Sequence, residues 1–343
     1  ATVEAMLAEM PSVDVCRNTT FEAAETAGNR VASVTLNPGG VVQAGMFIDC
    51  SADAVLALSA GCRMMFGQES RRTFNEPGAP EKANNHLNAA TLVYRISPAA
   101  AAAVEPLPED ISGECWWRDR FPGACINQYL NGDRNINMLP TMDGEDAFKI
   151  GPWAAYRECR NRVRAHWHYL QTNFDEFRNF RFKYAFPVLG VRESRRVVGR
   201  YVLTQHDLLA GISGQDHDDI VTLADHAMDT HGASTGRAGC GELHEPYGVP
   251  FRCLVAADLD NLLVACRAAS FSSVAASSCR LSRTMIQLGQ AAGTAAAIAA
   301  ETGCDPGDVP AGRLHDALQK QHVQLEWPMP AALKAHLGQV SSG

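Results

Sequence analysis

Leu288-Gly289-Gln290-Ala291-Ala292-Gly293-Thr294-Ala295 lies inside a longer run, Thr284 to Glu301, that holds no proline and no charge before its last residue. Alanine is the strongest helix former, so the run predicts one long helix. Gly303 and Pro306 follow at the positions where a helix is normally stopped. Along this helix Gly289, Ala291, Ala292, Gly293 and Ala295 leave little side chain. A flat ring or a neighbouring backbone can therefore come close. The helix start adds unpaired N–H groups and partial positive charge.

Working outward, Cys253 to Ala256 and Asn261 to Ala265 read as strands around the turn Asp258-Leu259-Asp260. Met46 to Cys50 is an apolar run broken only by Asp49 and predicts a buried strand, with a helix from Asp53 to Ala60 after it. Arg30 to Leu36 alternates, turns at Asn37-Pro38-Gly39-Gly40, and returns over Val41 to Ala44. A helix end over Thr2 to Met10 and a short strand over Val13 to Cys16 precede it. The middle differs, holding four of the five tryptophans between Gly67 and Leu189. Tyr156 to Phe180 predicts one or two amphipathic helices broken near Asn173, and Phe186 to Val191 an apolar strand. Gly211 to Gly248, rich in Gly, Asp and His, predicts mostly loop, and Arg313 to Gln321 a last helix. The two ends thus form one α/β layer system interrupted by an α+β insertion. The expected segments are 1–70, 71–189 (insertion), 190–249 (return and loops), 250–330 and a tail, 331–343.

Composition narrows the function classes. The 343 residues carry a net charge of −8, which offers no basic face for nucleic acid or an anionic membrane. No apolar stretch reaches the roughly 18 residues of a membrane span, and a cytoplasmic location is expected. Eleven cysteines include no CxxC pair, so thiols in a reducing compartment are expected. Asp229, His226, His231 and His244 match no standard metal-ligand spacing, and no metal is expected.

Several motifs now combine. Gly190-Val191-Arg192-Glu193-Ser194-Arg195-Arg196 resembles a G-x-R-E-S/T-R-R signature. Asp260 to Arg267 resembles a DNLLVAGR strand, Leu288 to Ala295 a GQAAGTAA helix, and Phe47 to Asp53 an FIDATGD segment. Together these resemble the FAD-dependent oxidoreductase family that includes relatives of heterodisulfide reductase. The resemblance implies a glutathione-reductase-like FAD domain with an inserted substrate domain. The implied cofactor is FAD, and the implied reaction passes a hydride or electron pair between a small organic substrate and the flavin. The G-x-G-x-x-G turn that seats the pyrophosphate in such folds is not found, since Gly239-Cys240-Gly241 has the wrong spacing. The FAD domain is therefore expected to be partial, with the ADP-binding half supplied by a further segment or a second chain. The alternative is a cofactor-free relative with a structural or binding role in an assembly.

By the same resemblance, Ser51 and Asp53 lie near the FAD phosphates and ribose, while Cys266, Arg267, Ser270, Thr284, Gly289, Gln290 and Gly293 contact the cofactor. Arg192 is placed nearest the flavin or a substrate anion, with Glu193 as its ion-pair partner, since a guanidinium suits bidentate binding. His231, in Asp229-Thr230-His231, is a proton-transfer candidate. The sequence departs from the pattern at Ala52, Ala54 and Val55, which replace two glycines and an aspartate, and at Cys266, which replaces a glycine.

Overall fold

Leu262–Val264 runs parallel to Phe47–Asp49, Leu262 facing Phe47 and Val264 facing Asp49. In the computed structural model, which describes residues 2–113, 125–138, 140–230 and 239–340, all three residues of Leu262–Val264 are fully buried. Its other edge is closed by residues 254–256: Val264 N–H donates to Leu254 O, and Ala256 N–H to Leu262 O. The expected strand over Cys253 to Ala256 is thereby shortened to a 3-10 turn, Phe251–Cys253, followed by one bridge from Val255 to Leu263. The small-residue helix forms over Ser282–Thr302 and ends at Gly303 with φ +69°. It buries Leu288, Ala291, Ala292, Ala295 and Ala299 in the same core as Val255 and Leu263.

Asp49 organises the turn that leaves its strand. Its carboxylate accepts the N–H groups of Ser51, Leu56 and Ala57 and the Ser51 hydroxyl, fixing the start of the helix Val55–Ser59. The turn puts Ala52 at φ +69° and Ala54 at φ +49°. These are two of the positions where the resembled pattern has glycine, and an L-residue there costs about 1–2 kcal/mol.

An antiparallel sheet of Thr20–Ala27, Arg30–Asn37 and Gly40–Val42 leans on this layer through Val31 and Val34. Its first hairpin turns at Gly28-Asn29, with Gly28 at φ +61°. Val13 to Cys16, expected as a strand, is irregular, and the strand Thr20–Ala27 was not foreseen. That strand buries no residue fully, so it lacks the apolar alternation by which strands are recognised.

The middle region builds a separate core. Its sheet runs in the order Cys125–Gln128, Arg134–Asn137, Tyr94–Pro98, Phe180–Ala185. The helix Pro152–Asn173 covers it, setting Cys159, Val163, Trp167 and Leu170 against Tyr94, Ile96 and Ile136. The helix breaks at Phe174, beside the expected position, and a 3-10 turn Asp175–Asn179 comes next. Phe186 to Val191 is not a strand. Pro187 lacks an N–H donor, and Gly190 makes a single bridge to Thr91.

Gly211 to Gly248 is more ordered than its composition suggested. Ile220–Ala224 pairs antiparallel with Tyr247–Pro250, and Met228–Thr230 with Gly239–Gly241. The short apolar run at 220–224 is buried against the Ser282–Thr302 helix, a tertiary reason that composition conceals. A further helix, Ala331–Val340, comes after Ala311–Lys320, which was expected to be the last. No helix among the described residues is long and apolar enough to cross a membrane.

The charged knot at 192–196 comes apart in space. Arg195 lies over the Phe148 ring, 4.8 Å from its centroid. Arg196 is fully buried and pairs with Glu193 and, at 2.7 Å, with Glu69. Glu193 also accepts the Asn88 N–H, and Glu69 the Ser273 N–H. Glu193 was expected to pair with Arg192. Arg196 takes that place because it is the guanidinium that enters the core with it. Burial raises the pKa of Glu193, and Arg196 opposes that rise.

Removing one partner of such a cluster strands buried charge, so Arg196→Met should lower the unfolding free energy by about 3–5 kcal/mol in urea titrations. Part of that loss should be recovered at acidic pH, where Glu193, its pKa already raised by burial, takes up a proton. Ala52→Gly should raise stability by about 0.5–1 kcal/mol, the relief of the left-handed strain less glycine's extra unfolded-state entropy. The midpoint of chemical unfolding reads it.

Candidate functional site

The two parallel strands end side by side, and a cleft of about 650 Å³ opens beyond their carboxyl ends. Crevices at this position are where open α/β sheets bind ligands, and the volume lies within the roughly 300–1,000 Å³ of small-molecule sites. Cys50 and Ala52 follow the first strand into the cleft, and Ala265, Cys266 and Arg267 follow the second. The Ser282–Thr302 helix presents its beginning, Leu281, Ser282, Met285, Ile286 and Gly289. The middle region adds Thr91, Val93 and Asn137 to the lining, and Gly190 to Arg192 complete it.

Three arginines give the cleft its character. Arg192 donates to Ala89 O at 2.5 Å and to Thr91 Oγ1 at 2.7 Å. Burial, with Arg280 nearby, lowers its pKa to about 10. Arg280 is held by Asp229 at 3.0 Å. Arg267 donates Nη2–H to Asp53 at 2.7 Å, and Ser194 donates its hydroxyl to the same Asp53 oxygen. The buried Nε of Arg267 has no partner among the described residues. Cys266 is a protonated thiol, its pKa raised to about 11 by burial.

Of the residues singled out in sequence, Arg192, Cys266, Arg267 and Gly289 line this cleft. Asp53 lines the cavity next to it. Ser51 spends its hydroxyl on Asp49 and on the Val55 N–H. Ser270 is buried and accepts the Gly199 N–H. Thr284 is buried in the helix, outside the cleft lining. Gln290 donates to Gln321 on another face, and Gly293 does not line the cleft. His231 lies outside the described residues. Thr91, Asn137 and Arg280 were not foreseen. Thr91 arrives from the middle region by tertiary packing alone, while Arg280, just ahead of the helix start, was available as a signal.

A flavin ring fits this donor set. Its edge carries carbonyl and ring-nitrogen acceptors, and the cleft offers guanidinium donors and a helix start. Leu281 at the N-cap has no side-chain acceptor for the first-turn N–H groups. A methyl group added at Gly289 would meet nothing within 4 Å, so the helix surface is open there. Among the described residues no group of His, Cys, Asp and Glu is placed to hold a metal ion.

Comparison with curated proteins and with solved structures found no match. The family model described as FAD dependent oxidoreductase matches residues 1–320. The chain therefore belongs to the FAD-dependent oxidoreductase family, whose cofactor is FAD and whose general function is flavin-based oxidation and reduction.

Proposed function

We propose that the isoalloxazine ring of FAD occupies the cleft beside Leu281, Ser282 and Gly289, and that the protein transfers a hydride or electron pair between this flavin and a small organic substrate. The observation carrying the reading is the open helix start facing a cleft lined by Arg192, Arg267 and Arg280. FAD, when bound, supplies the electron-pair chemistry. The chain's part is electrostatic and positional. Guanidinium groups and helix N–H groups favour negative charge at the ring edge. Gly289 lets the ring approach the helix, and the buried neutral Cys266 keeps its end of the wall free of charge. Among the described residues that line the cleft, none belongs to a phosphate-binding glycine loop.

Gly289→Leu tests the placement without threatening the fold. Leucine is the better helix former by about 1 kcal/mol, and the position is open. The variant should match or exceed the parent protein's melting temperature while losing at least about tenfold in FAD affinity, an effect of about 1.4 kcal/mol. Equal flavin retention by both proteins after desalting, read in the visible spectrum, would reject the placement.

The thiol gives an independent check. Thiolate is the reactive form, so Cys266 should resist iodoacetamide at pH 8 while exposed Cys16 and Cys125 are alkylated. Its labelling should rise only as pH approaches about 11. Mass spectrometry of the labelled peptides reads the difference.

A further inference from the structure

We infer that a second cavity, sharing the wall formed by Ala52, Val191 and Arg267 with the first, binds a neutral, largely apolar carbonyl compound. This cavity measures about 580 Å³. Its sides are Phe148, Pro152, Trp153, Tyr156, Val188 and Leu189, and its polar end is Asp53, Ser194 and Arg267. Trp153 and Val188 stand at 79% and 74% exposure on its border. Large apolar side chains gathered around one concavity mark a surface that gains by being covered with an apolar body.

The charge arrangement selects among apolar ligands. Arg267 is already matched by Asp53, and Glu193, also on the wall, by Arg196. Among the described residues that line this cavity, no positive charge is left unmatched for an ionised ligand, whose desolvation would go uncompensated. The wall does hold one donor without a partner among the described residues, the Nε–H of Arg267. A neutral acceptor oxygen answers it without adding charge. A ketone or quinone carbonyl on a ring or chain has this chemistry. As an assignment of substrate, the inference rests on the flavin reading, because only a flavin across the shared wall makes the occupant a reaction partner. Occupancy itself does not depend on it.

The test titrates the full chain with the naphthyl ketone dye Prodan, whose emission shifts to the blue in apolar surroundings. FAD is titrated separately in a parallel sample. Saturable binding at one site per chain is expected, with displacement by acetonaphthone at least about tenfold more effective than by naphthoate, a gap of about 1.4 kcal/mol. Trp153→Ala and Val188→Asp, both at exposed positions, should each weaken dye binding at least about fivefold and leave the circular dichroism and melting curve unchanged. Arg267→Lys keeps a charge facing Asp53 and removes the Nε–H, and should weaken binding of the ketone but not of a naphthalene hydrocarbon. The inference is overturned by non-saturable binding, by binding indifferent to Trp153→Ala and Val188→Asp, or by naphthoate competing as well as the ketone. A protein that binds the dye but not FAD keeps the cavity and loses the flavin reading. One that binds FAD but not the dye does the reverse.

Discussion

A guanidinium with no exposure to water, Arg196, sits between two carboxylates, and much of the architecture around the cleft is tied to that fact. Glu193 and Glu69 are drawn to it, and through their second oxygens they fix the backbone at Asn88 and Ser273. Arg196 itself donates to Gly67 O. Segments far apart in sequence, from the first α/β layer, the middle region and the last third of the chain, thus meet at one charge. A buried cluster of this kind adds little net stability over an apolar replacement of the same shape. Its effect here is to fix position: Arg192 and Gly190 are held a few residues from the cluster and carried into the cleft.

The cleft arises from connectivity as much as from side chains. Two short parallel strands must both deliver their chains to the same end, and the polypeptide has to leave there through turns. The first turn is disciplined by Asp49, whose carboxylate gathers the N–H groups of the next helix. The second passes through Cys266 and Arg267, and the chain comes back as the Ser282–Thr302 helix with its start beside both. Donors converge there because a helix start, two strand ends and a return segment share one small volume.

The elements that were legible in sequence are those in which local propensity and burial agree. The Thr284 to Glu301 run has alanine's helix preference and a small-residue face, so its limits could be read to within two residues. Phe47–Asp49 and Leu262–Val264 are short runs, mostly apolar and largely buried. Thr20–Ala27 was opaque because it is held by backbone pairing on an exposed ribbon. Ile220–Ala224 was opaque because its polar neighbours outweigh five residues in any composition count. At the candidate site, Gly289, Cys266, Arg267 and Arg192 lie on motifs whose local structure already aims them at the strand ends. Ser270 and Ser51 are short hydroxyls that the adjoining backbone claims first. Thr91 carries no local mark, since only the packing of the middle region against the α/β layer brings it in.

Ala52, Val191 and Arg267 line both cavities. Any occupant that reorients the guanidinium changes what Asp53 and Ser194 offer on the other side. Thermodynamic linkage then requires the influence to run equally both ways. The route for any such influence is the guanidinium that borders both cavities, and its ion pair with Asp53 is the restraint an occupant must work against.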